Sequence, residues 1–225
     1  MTARDLTLVV VGADEASARA FDKTHCGEAR VIVVTNHRQQ ALSVIGNWHL
    51  DPSRSATQRE ISITHHPIFG LCHADTWFGP GALDAFVACA GEGNVCGVVG
   101  MNPDLKEDSP GRNPGATKQN QRWGEVWSNQ NPGPVSTLDS ASVFFRRDSG
   151  LRFDSVNFDG MHLHVEDLCL QASQLKGMPV VVPAANATHG GNPALQDWND
   201  WWHADYRRYF EKFRTKWAGV RYGVT

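Results

Sequence analysis

No apolar stretch in this 225-residue chain approaches the roughly 20 residues needed to cross a bilayer, so no membrane span is expected. The opening Met1-Thr2-Ala3-Arg4-Asp5 carries neither a long apolar run nor a small-residue cleavage site, and the expectation is a cytoplasmic protein. The five cysteines (Cys26, Cys72, Cys89, Cys96, Cys169) are odd in number and lack CxxC spacing. Reduced thiols acting as small hydrophobes are therefore expected, rather than a disulfide framework or a zinc site. No GxGxxG follows the first apolar run, and there is neither a GxxxxGKS/T phosphate loop nor a GxSxG elbow. Dehydrogenase, P-loop NTPase and serine hydrolase readings fall together. The net charge of −3 supplies no global field for nucleic acid or anionic lipid. Internal repeats and low-complexity segments are also missing.

What is present fits a folded α/β protein. Forty-one per cent apolar residues supply a sizeable core. Short β-branched runs at Leu6–Val11, Val31–Val34, Ile61–Thr64, Ile68–Cys72, Val95–Met101, Ala141–Phe145 and Val180–Val182 read as strands. Between them, Asp14–Lys23, Gln39–Trp48, Pro80–Cys89 and Val165–Lys176 have helical patterns, the last with Gly177 just past its end. Strand alternating with helix predicts a mostly parallel central sheet flanked by helices, with ligands bound beyond the carboxyl ends of the strands. The stretch 102–134 is rich in Pro, Gly and Asn and reads as a long binding loop. The tail carries Trp201, Trp202, Tyr206, Tyr209, Phe210, Phe213 and Trp217 at steps of three and four, which predicts a C-terminal aromatic-rich helix with a basic flank. One domain over 1–225 is expected: a ligand-binding half (1–101), the loop (102–134), a second half (135–195) and the tail (196–225).

Three groups of residues carry chemistry. Asp75 follows an apolar strand and would either cap the next turn or act as a hard oxygen ligand for a divalent cation. His73, two residues earlier, would point to the same side of an extended backbone. His189 lies shortly after Val180-Val181-Val182-Pro183; as a nitrogen ligand it would favour Mn²⁺ over Mg²⁺ or Ca²⁺. Glu166 and Asp167 stand in the first turn of a helix, where they would either complement its dipole or accept a proton. Asp167 lies off the apolar stripe and is expected to face a cleft. His162 and His164 offer a competing metal pair, and with it a metal-dependent hydrolase.

The segment STLDSASVFFRRDSGLRFDSVNFDGMHLHVEDLCLQASQLKGMPVVVPAANATHGG, from Ser136 to Gly191, resembles the second half of family 2-like glycosyltransferases of GT-A fold. It is most like the small bacterial and phage glycosyltransferase-like group. The shared features are a Leu-Asp turn before a strand, an "rFD" element, an "ED" helix and a histidine after a Val-Val-Pro strand. LCHADTWFGPGALDAF is similar to the family's metal-aspartate segment, with His73 replacing the first acid of a DxD, and Thr35 stands where the family has an aspartate. The resemblance implies a GT-A-like fold and transfer of a sugar from a nucleotide-sugar donor to an acceptor hydroxyl on a glycan, protein, lipid or modified nucleobase. It implies that Val11, Asp14 and Asn36 line the nucleoside pocket, and that Asp75 and His189 hold Mn²⁺ or Mg²⁺. Asp139 and His73 would lie near the donor sugar or acceptor. Asp167, beside Glu166, would be the base of an inverting, in-line attack. A non-catalytic nucleotide- or glycan-binding module is the alternative.

Overall fold

The structure, a computed structural model, describes residues 1–12, 14–35, 42–51, 66–102, 126–128, 132–160, 162–190 and 199–222. The helix start expected at Gln39, the strand expected at Ile61–Thr64, Asn36 and most of the 102–134 loop lie outside the described residues.

The apolar runs become strands where the sequence places them. β1 (Leu6–Gly12) is buried along its whole length. It pairs in parallel with β2 (Arg30–Thr35) on one side and with β3 (Ile68–His73) on the other. β4 (Thr76–Phe78) follows β3 after a short turn. Six short strands come next: β5 (Val95–Cys96), β6 (Gly100–Met101), β7 (Val126–Ser128), β8 (Gly133–Pro134), β9 (Thr137–Leu138) and β10 (Ser142–Arg146). β11 (Val180–Val182) and β12 (Ala187–Gly190) complete the set. The main sheet has the order β2-β1-β3-β10-β5-β11-β8, and two smaller sheets join β4-β12-β7 and β6-β9.

The sheet is mixed, which corrects the expectation of a mostly parallel one. β10 runs antiparallel to both β3 and β5, and β8 runs antiparallel to β11. An apolar run specifies burial on both faces but not direction. β10 enters from a turn at Asp139–Ala141 rather than from a crossover helix. The expected single strand at Val95–Met101 is also broken, because Val98 donates its N–H to the Ser142 side-chain hydroxyl at 2.9 Å instead of to a strand carbonyl. A Cβ on Gly97 would lie 2.5 Å from the Ser142 carbonyl oxygen, so only glycine admits this approach.

Side-chain alternation splits the core in two. Val9 and Val11 of β1 pack with Phe69, Leu71, Val143 and Phe145 on one face. That face is covered by α2 (Leu42–Leu50) and α4 (His164–Leu170). Leu6, Leu8 and Val10 point the other way, with Ile68, Cys72 and Phe144, under α3 (Ala82–Gly91). There Phe86 stacks on Phe144 with centroids 4.6 Å apart. Each such fully buried ring contributes about 1.5–3 kcal/mol.

α1 (Glu15–Ala20) is capped by Asp14, which accepts from the Ser17 N–H at 2.8 Å. A Cβ at Gly12 would meet the Ala18 backbone at 2.5 Å, so the absence of a side chain lets α1 sit directly on the end of β1. α4 runs on into a π turn at Gln171–Leu175, and Gly177 closes it at φ 63°. α5 (Asn199–Lys216) is the expected aromatic helix: Tyr209, Phe213 and Trp217 are buried against Phe158, Leu163 and Leu170. No helix among the described residues is long and apolar enough to cross a membrane.

Candidate metal centre

The order β2-β1-β3 puts β1 between its successors, with the chain leaving β1 to one side and returning as β3 on the other. At such a switch point a crevice opens beyond the carboxyl ends of the strands. Gly12 ends β1 and Asp14 caps α1 there, and His73 ends β3 opposite Val11. The Ala74 N–H donates to the Val11 carbonyl at 3.0 Å and the His73 N–H to the Ala141 carbonyl at 2.9 Å, so the loop that carries Asp75 is pinned on both sides. Val11 itself faces the core and contributes to the crevice only through this backbone contact.

The smaller sheet brings in the distant partner. β12 pairs antiparallel with β4, setting His189 opposite Thr76 and hence beside Asp75. The His189 Nε2 lies 3.3 Å from Asp75 Oδ1, and the His73 and His189 ring centroids are 5.6 Å apart. One ligand atom from each of His73, Asp75 and His189 falls within 4.8 Å of the others. Ligand atoms sharing an ion at about 2.1 Å sit roughly 3–4 Å apart, so a small contraction closes the triad around a cation. The His73 Nε2 is buried and has no hydrogen-bond partner among the described residues, as expected of a nitrogen kept for a metal. The residues therefore fit a divalent cation.

The electrostatics differ between the two rings. Burial holds the His73 imidazole below its ordinary value, opposed by Asp75 and reinforced by His189, and a neutral ring is the ligating form. Burial alone would lower His189 and raise Asp75. Their mutual hydrogen bond and charge outweigh it, so His189 is raised and Asp75 lowered. Asp139 accepts from the Ala141 N–H at 2.7 Å, and its charge reaches His73, His189 and His162. Asp139 thus belongs to the same electrostatic neighbourhood.

The ED pair divides. Asp167 does not face the crevice, contrary to the expectation from its place off the apolar stripe. It is completely buried, and its oxygens accept from Lys216 Nζ at 2.7 Å, Trp217 Nε1 at 2.8 Å and Gln171 Nε2 at 2.7 Å. Lys216 also reaches Oδ2 at 3.0 Å, so each oxygen accepts from two donors. Glu166, about 100° around the helix, is also buried, but its charge falls on Tyr206, whose hydroxyl is pushed up first by burial and then by Glu166. The Tyr206 ring lies 5.7 Å from that of His162, and His162 in turn senses Asp139 and His73. Leu163 holds the head of α4 at φ 63°, an uncommon conformation for a branched residue that aims this first turn.

His162 and His164 do not form the competing metal pair; among the described residues the group able to hold a cation is the triad. Burial drives His162 down to about 4 and His164 to about 3, which keeps both neutral. Sequence reasoning gave His73 a substrate-side role and missed it as a ligand, although the His-x-Asp spacing was visible. Nothing local to Asp167 announced Lys216 and Trp217.

No protein-family model and no curated protein matches the chain. A solved structure titled "Crystal Structure of A197 from STIV" is similar to it at 12% identity and a TM-score of 0.43, over 78% of this chain and 80% of that one. Likeness that distant supports no conclusion about fold family or activity. What stands is an α/β domain with a mixed sheet, flanking helices and a triad able to hold a divalent cation.

Proposed function

We propose that the protein is a metal-dependent glycosyltransferase that moves a sugar from a nucleotide-sugar donor to an acceptor hydroxyl. One observation carries the reading: Asp75 and His189, 114 positions apart (189 − 75), meet with His73 at the carboxyl end of β3, beside the switch point next to β1. Residues 1–101 would carry the nucleotide and residues 135–195 the acceptor. A divalent cation held by Asp75, His189 and His73 would neutralise the charge of the departing diphosphate. The end of β1 and Asp14 would border the nucleoside, and Asp139 the donor sugar. As the acceptor oxygen bonds to the anomeric carbon and the bond to diphosphate breaks, Glu166 would take the hydroxyl proton, giving inversion. The base role goes to Glu166 rather than Asp167 because Asp167 has no oxygen to spare.

The test is the release of nucleoside diphosphate, and product mass, from a panel of nucleotide sugars with and without Mn²⁺. Turnover with one donor, lowered about 100-fold or more by Glu166→Gln, is expected. Ligand at 100 times its dissociation constant should also add about 2.7 kcal/mol of stability. A stability shift without turnover would leave only a binding module, and no shift with any nucleotide would sink the proposal.

A further inference from the structure

We propose that His73 is the third protein ligand of the site, and that two imidazole nitrogens with one carboxylate oxygen select a late transition ion, of the cobalt(II), nickel(II) or zinc class, over magnesium and calcium. This deepens the function proposed above and rests on the same site, but none of its observations involves a nucleotide.

Position is the first argument. His73 is the last residue of β3, in register opposite Val11, and its N–H is fixed on the Ala141 carbonyl at 2.9 Å. The ring therefore leaves a rigid strand end, while His189 leaves β12 and Asp75 the turn between β3 and β4. Three separately anchored backbones converge on atoms within 4.8 Å of one another. Such preorganisation favours an ion that takes few protein ligands at defined angles.

Chemistry is the second. The buried His73 Nε2 has no hydrogen-bond partner among the described residues, and desolvating an imidazole nitrogen without compensation is unfavourable. Ligation to a cation compensates it. Magnesium demands near-ideal octahedral oxygen coordination and calcium six to eight oxygens, and neither is met when two of three protein donors are nitrogen. Imidazole suits zinc, copper, iron and nickel, and two histidines with one carboxylate leave coordination positions open on the far side.

The experiment uses metal-stripped full chain without nucleotide. Affinities for Co²⁺, Zn²⁺, Mn²⁺ and Mg²⁺ are measured by calorimetry, together with the visible absorption of bound Co²⁺. Expected are Co²⁺ and Zn²⁺ affinities at least 100-fold above that for Mg²⁺, a loss of tenfold or more for Co²⁺ in His73→Ala, and a Co²⁺-to-Mg²⁺ ratio narrowed at least tenfold by His73→Asp. A Mg²⁺ affinity within tenfold of Co²⁺, or a His73→Ala affinity within twofold of wild type, would overturn the assignment. Should that variant fail to fold, imidazole nitrogen NMR of the intact protein decides: two rings shifted by Zn²⁺ are required, and one alone refutes it. Cobalt bound through both rings with no response to any nucleoside diphosphate would keep this inference and remove the proposed function.

Discussion

Asp167→Asn separates two roles for one carboxylate, since a base that is lost costs turnover whereas an anchor that is lost costs stability. Asp167 is fully buried and takes hydrogen bonds from Gln171, Trp217 and Lys216, the last at 2.7 Å. An amide keeps one acceptor oxygen for these donors and turns an N–H₂ toward one of them. Removing one partner of a buried ion pair costs about 3–5 kcal/mol. Lys216 softens this, because its side chain is 30% exposed and it retains Asp154 at 2.8 Å. We expect a loss of about 2–3 kcal/mol, or roughly 5–10 °C in Tm for a domain of this size. Calorimetry and urea unfolding measure it, and a double-mutant cycle with Lys216→Met should show coupling of about 1 kcal/mol or more. Co²⁺ binding at the triad should survive. A Tm within about 1 °C of wild type would refute the anchor and return Asp167 to the catalytic role.

Two further outcomes follow from buried and paired groups. His164 is fully buried and neither ring nitrogen is hydrogen-bonded among the described residues, so His164→Leu should raise stability by about 1–2 kcal/mol, and a lower Tm would mean that the ring is held by a contact of real value. Asp154 is held down at about 2 because its hydrogen bonds and ion pair with Asn157 and Lys216 outweigh burial, the largest single influence. A depressed carboxylate stabilises the fold above its unfolded value, and that stability is lost as pH falls through the folded one, so Tm should fall between about pH 4 and 2. Asp154→Asn should flatten this slope, and an unchanged slope would place the acid sensitivity elsewhere.

Much of the architecture was legible in the chain because burial leaves a local trace. The runs at Leu6, Val31, Ile68 and Val180 became strands, and Gly177 ended its helix at positive φ. The aromatic spacing of the tail became α5 packed on Phe158 and Leu170. Asp75 and His189 were marked as ligands by their places after strands, and they do meet. The direction of β10 and the break at Gly97 left no such trace, since both depend on which neighbour supplies the hydrogen bonds.

The sequence by itself therefore determined which segments are buried, what period they follow and which side chains bring metal or proton chemistry. Tertiary structure alone decided how those side chains are shared out: His73 joined the triad because β1 and β12 flank its loop. It also sent Asp167 to Lys216 and Trp217 and left Glu166 beside Tyr206. The physical reason is that periodicity records only whether a residue meets water. A carboxylate's role depends on which donors surround it, and here those donors come from the far end of the chain.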